Sequence, residues 1–192
     1  MHTDSMLATD FLTTEVWTPF GLVTFYILFF IHVGTRKVYL GGITTNPTDG
    51  WMKQAARNLT MSGCAIFDKC RYLIRDRDTK FTSGFDMTFQ SVGIKAVKLP
   101  ARSPNLNSFA ERWVQSVKTE CLDRMIFFGE ASLRRSVEQY LIHYHEDRPH
   151  QGIGNVVPFP TEQASNHPRD GPIVCRERLG GMLRLYHRKK AA

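Results

Sequence analysis

The first third of the chain carries three apolar segments separated by short turns. These segments, residues 6–16, 22–32 and 37–43, have the length and composition of β-strands. Proline or glycine marks each turn, and connections this short predict antiparallel neighbours. The most apolar stretch, residues 22–33, contains a threonine and a histidine and is too short to cross a membrane, so the pattern favours a buried strand.

The pattern then changes to that of helices and shorter strands. After residue 46, apolar residues recur at intervals of four, which predicts a crossover helix. The buried strand that follows, residues 72–74, is expected to run parallel to an earlier strand. A short helix, residues 83–91, and a fifth strand, residues 94–97, complete an α/β fold with a five-stranded mixed sheet flanked by helices.

Two amphipathic helices are predicted in the second half of the chain. The first begins after Asn107, and Glu111, Gln115 and Lys118 share one of its faces because residues three and four apart are neighbours. Its apolar stripe comprises Ala110, Trp113, Val114, Val117 and Cys121. The second helix ends before Pro149, since proline disfavours helix at the residue before it. Its apolar stripe comprises Leu133, Val137, Leu141 and Tyr144.

Three carboxylates occur in an order that indicates metal-dependent chemistry. Asp10 lies in the first strand, Asp76 directly follows the strand at residues 72–74, and Glu111 lies in the first turn of a helix. Oxygen-only clusters suit hard, octahedral cations such as Mg²⁺. Two such ions can activate an attacking oxygen and stabilise a leaving oxygen in phosphoryl transfer. The order and spacing therefore suggest phosphodiester chemistry.

Each of these carboxylates also has a purely structural interpretation. Asp10 would lie on the exposed face of an edge strand, and Asp76 would form an Asx turn, with Asp78 as its rival for the site. Glu111 would accept a hydrogen bond from the backbone of Ser108 in a capping box at the start of its helix. The residues alone leave these alternatives open.

Four short segments carry a family resemblance. They are residues 7–11 (Leu-Ala-Thr-Asp-Phe), Arg75-Asp76 with Phe81 five positions later, residues 104–112 (Pro-Asn-Leu-Asn-Ser-Phe-Ala-Glu-Arg) and residues 144–150 (Tyr-His-Glu-Asp-Arg-Pro-His). In this order they resemble the catalytic core of the DDE group, which includes retroviral integrases and many bacterial insertion-sequence transposases, over roughly residues 5–165. The resemblance implies an RNase H-like fold. The family usually has Asp-Asn-Gly before the aromatic residue; here Arg77-Asp78 replaces Asn-Gly, and counting back from Phe81 selects Asp76.

The resemblance implies a DNA transposase or integrase in which Asp10, Asp76 and Glu111 are both catalytic residues and metal ligands. They would hold two Mg²⁺ or Mn²⁺ ions. One ion would activate water and later a DNA 3′-hydroxyl, and the other would stabilise the departing 3′-oxygen. The expected partners are DNA, as transposon ends and target, and further copies of the chain in a homo-oligomer. The residues expected to contact DNA are Asn107, Arg112, Gln115 and Lys118, although Lys118 fits a solvated helix face equally well.

Composition and charge agree with a nucleic-acid partner. The 192 residues have a net charge of +7 and a pI near 9.4, which favours a polyanion. The four cysteines form no Cys-x-x-Cys pair and the histidines have no zinc-ligand spacing, so reduced thiols in a cytoplasmic protein are expected. No signal peptide or membrane span is indicated, and a location at the bacterial nucleoid is expected.

The expected organisation is one integrase catalytic core domain, residues 1–165, followed by a basic C-terminal tail, residues 166–192. The N-terminal helix-turn-helix region of full-length relatives is expected to be absent, so these residues alone are not expected to recognise transposon ends. Two other functions remain open. One is a catalytically incompetent DNA-binding remnant of a transposase. The other is a stand-alone RNase H-like nuclease that acts on RNA–DNA hybrids.

Overall fold

The three apolar segments at the start of the chain form antiparallel strands, as predicted. In the computed structural model they are β1 (Met6–Thr18), β2 (Gly21–His32) and β3 (Val38–Thr44). The structure describes residues 3–61, 67, 69–100, 107–150, 154–160 and 171–188. The chain divides into two compact units, residues 1–130 and residues 131–192.

Two further connections add the parallel strands of the first unit. The crossover through α1 (Asp49–Thr60) leads to β4 (Tyr72–Arg75), which pairs in parallel with the start of β1. The next helix, α2 (Ser83–Gln90), precedes β5 (Lys95–Lys98), which is parallel to β4. The strand order is β3-β2-β1-β4-β5, so the predicted five-stranded mixed sheet is confirmed and β1 is its central strand.

Helices cover both faces of this sheet. Phe29 and Phe30 of β2 point to opposite faces because side chains alternate along a strand. Phe30 packs with Phe85 of α2, in a core to which α1 also contributes. Phe29 packs against Trp113, with ring centroids 4.2 Å apart. Because Trp113 belongs to α3 (Ser108–Glu120), α3 covers the face opposite to α1 and α2.

Side-chain caps fix where α1 and α2 begin. The hydroxyl of Thr48 accepts a hydrogen bond from the backbone N–H of Trp51 at 3.3 Å. The hydroxyl of Thr82 accepts one from the N–H of Phe85 at 3.2 Å. Each cap satisfies a backbone donor that the helix itself leaves unpaired. The cap of α2 also anchors the end of the segment that carries Asp76.

The two later helices are confirmed, with a small change in the buried face of each. In α3, Trp113 is buried, whereas Val114, predicted as part of the apolar stripe, is only half-buried. In α4 (Gly129–Glu146), Tyr140 is buried and Leu141 is half-buried. The buried stripe of α4 continues from Val137 by three residues to Tyr140, whereas the prediction continued by four residues to Leu141.

Two simpler observations concern the cysteines and the membrane. Cys70, Cys121 and Cys175 are reduced thiols, as predicted, and Cys64 lies outside the described residues. Burial raises the pKa of the Cys121 thiol to about 12, which makes this thiol unreactive at neutral pH. Within the described parts of the chain, no helix has the length and apolarity needed to cross a membrane.

The second unit ends in a β-hairpin that the sequence analysis did not predict. In this hairpin, β6 (Ile173–Arg178) pairs antiparallel with β7 (Leu183–Arg188). Asp147, which follows α4, anchors the hairpin. Its side chain is 1% exposed, and its Oδ2 accepts a hydrogen bond from Nε of Arg178 at 2.7 Å. Arg176 approaches the other carboxylate oxygen to 3.5 Å, and the ring of His143 lies 3.5 Å from Oδ2.

Candidate active site

Asp10 lies on the central strand and faces α3. It pairs with Phe29 across β1 and β2, and the side chains of directly opposed residues point to the same face of a sheet. Because Phe29 packs on α3, Asp10 points to the same side. The backbone N–H of Phe11 donates a hydrogen bond to Oδ1 of Asp10 at 2.8 Å and so orients the carboxylate. An exposed position on an edge strand, the structural alternative for Asp10, is therefore wrong.

The pKa of Asp10 is raised from its ordinary value of 3.8 to about 6. Burial of the carboxylate is the largest cause, and the hydrogen bond from Phe11 partly offsets it. The carboxylates of Asp76, Asp78 and Glu111 raise the pKa further by electrostatic repulsion. Because such repulsion weakens with distance and with screening, these three segments bring their negative charges into the neighbourhood of Asp10.

Asp76 directly follows β4, the strand beside β1. Its Oδ1 accepts a hydrogen bond from the backbone N–H of Asp78 at 3.0 Å, so Asp76 does form an Asx turn. This turn uses one of the two carboxylate oxygens, and a carboxylate can accept several contacts. The Asx turn and a role as metal ligand are therefore compatible.

Asp78, the rival of Asp76, is held by Lys80. Oδ1 of Asp78 accepts the backbone N–H of Lys80 at 2.9 Å, and its Oδ2 lies 2.7 Å from the ammonium nitrogen of the same residue. Burial raises the pKa of Asp78, but these contacts outweigh burial and hold the pKa below its ordinary value. Both oxygens of Asp78 are thus engaged, which favours Asp76 as the available carboxylate.

Glu111 does not cap its own helix. Asn107 is the residue that precedes α3, so Ala110 is the third helical residue and Glu111 the fourth. A capping box needs the acidic residue at the third position. Glu111 is exposed, and it lines the same pocket as Asp10. The capping-box alternative is therefore wrong.

The pocket that contains Asp10 and Glu111 has a volume of about 390 Å³. Gln115 and Lys118 continue its wall along α3, which matches the helix face predicted from their spacing. The remaining lining residues are Phe11, Val114, Thr119 and Asp123. Sequence reasoning missed Asp123, because it lies in a 3-10 turn after α3 and no periodic pattern connects it with Glu111. Asp76 does not line this pocket, so its link with Asp10 rests on their electrostatic interaction.

Comparison with known protein sequences gives a family and one relative. Residues 92–158 match the family described as the integrase core domain. An uncharacterized 39.2 kDa protein of insertion element IS476 from Xanthomonas euvesicatoria is 29% identical over 98 residues. The match covers 47% of this chain and spans 28% of the length of that relative.

Solved structures share the fold. The HTLV-2 integrase catalytic core domain in complex with magnesium aligns in its dimeric form with a TM-score of 0.59 and 10% identity, covering 81% of this chain and 93% of that chain. Its trimeric form aligns with a TM-score of 0.58 and 11% identity, covering 80% and 93%. The fold is therefore RNase H-like, as the resemblance implied. The matched family, the insertion-element relative and the shared fold together support a DDE integrase or transposase core.

Two of the four residues expected to contact DNA lie outside the pocket. Asn107 is buried, and its Oδ1 has no hydrogen-bond partner among the described residues. Arg112 is exposed, and its Nε donates a hydrogen bond to the carbonyl of Ser108 at 3.2 Å. A contact between Asn107 and DNA stays a prediction that its burial does not favour, whereas the exposure of Arg112 agrees with one.

The chemistry of these carboxylates fits a divalent cation. They offer only oxygen, and the repulsion that raises the pKa of Asp10 is relieved when a cation binds between the charges. In the described part of the chain, however, no three Asp, Glu, His or Cys side chains are grouped closely enough to hold an ion. Binding would have to draw Asp10, Asp76 and Glu111 closer together, and their assignment as ligands stays a prediction.

Proposed function

We propose that this integrase core cleaves and joins DNA phosphodiesters with Mg²⁺ or Mn²⁺, in DNA integration or transposition. One observation carries the proposal: Asp10 of β1 and Glu111 of α3 line one pocket, and Asp76 directly follows β4, the strand beside β1. The charges of Asp76 and Glu111 also raise the pKa of Asp10. Acidic groups that repel one another at a shared site reduce stability, and such groups are typical of catalytic sites.

Asp10, Asp76 and Glu111 would hold two ions, whose chemistry is to activate the attacking oxygen and to neutralise charge on the phosphodiester. Other residues of the pocket would bind and orient the DNA. Gln115 and Lys118 share the pocket wall with Glu111. There the amide of Gln115 can donate a hydrogen bond to a phosphate and the ammonium of Lys118 can neutralise its charge.

The DNA substrates in this proposal are transposon ends and a target, at the nucleoid of a bacterial cell. The net charge of +7 supports a polyanionic substrate. The HTLV-2 core structures are of a dimeric and a trimeric form, and by analogy the active species here would be a homo-oligomer.

Strand cleavage by the 192-residue chain tests this proposal. Asp10→Asn, Asp76→Asn and Glu111→Gln each remove a charge with little change in side-chain volume. Each should abolish Mg²⁺-dependent nicking of plasmid DNA and joining of pre-cut ends, while circular dichroism shows an unchanged fold. Glu120→Gln makes the same change further along α3 and should keep wild-type activity. Activity retained by any of the first three variants would contradict the role of that residue.

The same assay distinguishes the two other functions. DNA binding without metal-dependent cleavage under any condition would identify a catalytically incompetent remnant of a transposase. Cleavage confined to the RNA strand of RNA–DNA hybrids would identify a stand-alone nuclease. Both substrates, with Mg²⁺ and with a chelator in its place, therefore belong in the experiment.

A further inference from the structure

Arg36 has a backbone conformation that residues other than glycine rarely adopt. Its φ angle is 66°, in the left-handed region. It lies in the turn between β2 and β3, where its N–H donates to the carbonyl of His32 at 2.8 Å and its guanidinium donates to the carbonyl of Val33. The N–H of His32 in turn donates to the carbonyl of Lys37 at 2.8 Å. Strained residues in an otherwise well-bonded turn tend to occur at functional sites.

The side chain of Arg36 reaches the first turn of α3. Its guanidinium carbon lies 3.5 Å from the centroid of the Phe109 ring, and that of Arg112 lies 5.0 Å from the same centroid. An aromatic face attracts cations, so Phe109 holds both guanidinium groups. Guanidinium groups donate charge-assisted hydrogen bonds to phosphate oxygens, so a phosphate beside this ring can meet both arginines. Among the described residues, Arg112 forms no ion pair with a carboxylate.

This pair of arginines is connected to the pocket by the surface of α3. Arg112 and Gln115 are three residues apart and Glu111 and Gln115 are four apart, so the three side chains are neighbours on the helix surface. Glu111 and Gln115 line the pocket with Asp10. A DNA strand that enters the pocket can therefore meet Arg112 and then Arg36 on the same side of the molecule.

We propose that Arg36 and Arg112, held by the ring of Phe109, form a phosphate clamp that positions the DNA strand beside the carboxylates. The proposal rests on DNA as the substrate of the proposed function, and it adds Arg36 and Phe109 to the residues that handle that substrate. Arg36 acts in it as a positioning residue, because it contacts the backbone of the strand away from the reacting phosphate.

A purely structural role makes a different prediction. If Arg36 only ties the β2–β3 turn to α3, its loss lowers stability and leaves the affinity for DNA unchanged. Arg36→Gly separates the two roles, since glycine adopts the left-handed conformation without strain and removes the charge. Arg57→Gln is the matched control, because Arg57 is an exposed arginine on α1, which covers the other face of the sheet.

The measurement is the fluorescence anisotropy of a labelled random-sequence DNA duplex, titrated with each variant in EDTA between about 50 and 200 mM salt. Arg36→Gly is expected to bind roughly tenfold more weakly than Arg57→Gln at low salt. Its plot of log affinity against log salt should be flatter by about 0.9, the change for one lost phosphate contact. Arg36→Lys should recover much of the affinity. Thermal unfolding reports separately how much stability is lost with the contacts of Arg36 to Val33 and Phe109.

Equal affinity and equal salt dependence in Arg36→Gly and Arg57→Gln would overturn the clamp, whatever the stability of the two variants. If the glycine variant does not fold, Arg36→Gln replaces it in the same comparison. The assay contains no metal and measures no cleavage. If Arg36→Gly binds DNA like the control while Asp10→Asn abolishes cleavage, only the clamp is wrong. If Arg36→Gly weakens binding while the wild-type chain does not cleave DNA, only the proposed function is wrong.

Discussion

Arg75 and Asp86 form a two-point ion pair that joins the end of β4 to α2. Nε of Arg75 lies 2.8 Å from Oδ1 of Asp86, and Nη2 lies 2.5 Å from Oδ2. The side chain of Arg75 is 8% exposed, and its guanidinium also donates to the backbone carbonyl of Asp76 at 3.1 Å. A largely buried pair of charges therefore fixes the backbone beside a proposed metal ligand.

Asp86→Asn should reduce both stability and cleavage. It leaves the buried guanidinium of Arg75 without a full counter-charge, which costs on the order of 3 kcal/mol in the free energy of unfolding. Urea unfolding measures this loss. Cleavage should fall even at a temperature where the variant is fully folded, because Asp76 is less firmly placed. Wild-type cleavage by a folded but destabilised variant would show that the pair serves stability alone.

Asp78→Asn should keep Mg²⁺-dependent cleavage, in contrast to Asp76→Asn. The reason is that Lys80 occupies both carboxylate oxygens of Asp78 and leaves it poorly placed to bind a cation. The two variants make the same chemical change two residues apart, so each controls for the other in one plasmid-nicking assay. The opposite result, with Asp78 essential and Asp76 dispensable, would transfer the second ligand to Asp78.

Asp10→Asn should stabilise the metal-free protein near pH 7. The pKa of Asp10 is about 6 in the folded chain against an ordinary value of 3.8, so the folded state binds more protons between these values. Stability therefore falls as the pH rises from about 4 to 6 and stays lower above it, by about 3 kcal/mol for this difference. Asparagine keeps the hydrogen bond with Phe11 and removes the charge. Urea unfolding of both proteins in EDTA at pH 4.5 and pH 7.5 checks this. A change in the free energy of unfolding that is the same at both pH values would contradict it.

Affinity for DNA should depend little on sequence and should fall steeply with salt, because counterion release drives contacts with phosphates. Lys118→Ala should make the slope of log affinity against log salt concentration shallower by about 0.9. Joint neutralisation of Arg184, Arg188, Lys189 and Lys190 should flatten it further; the two lysines lie outside the described residues. Anisotropy titrations with duplexes of unrelated sequence measure both effects. Strong selectivity for one duplex, or binding insensitive to salt, would show that another surface contacts DNA.

The main sheet could be predicted from the sequence because local apolar patterns determine it. Strands β1 to β3 are long and apolar with clear turns, and burial of one face follows directly from such a pattern. The β6–β7 hairpin gave no such signal. Arg176 and Arg178 contact a carboxylate, Asp147, that lies about thirty residues earlier in the chain. An ion pair between residues far apart in the sequence leaves no periodic pattern.

Part of the candidate site could also be predicted, because that part follows from the order and spacing of residues in the sequence. The order of Asp10, Asp76 and Glu111 and the shared helix face of Glu111, Gln115 and Lys118 are properties of the sequence. The engagement of Asp78 by Lys80 is not, because it depends on how one turn places its side chains. Asp123 and the strained turn at Arg36 likewise became visible only in three dimensions, since both depend on where the chain turns after a regular element ends.

The C-terminal hairpin depends on the buried carboxylate of Asp147, to which Glu146, 3.5 Å from Arg178, adds a more exposed negative charge. A two-stranded ribbon is at best marginally stable in water, and β6 carries two arginines that would repel each other without this counter-charge. Loss of the Asp147 charge would unfold the hairpin, so that Arg184 and Arg188 would no longer point in fixed directions. Such a chain would still adhere to DNA but would no longer orient it. A substitution of the buried Asp147 would thus change how the chain orients DNA, although Asp147 itself does not contact the DNA.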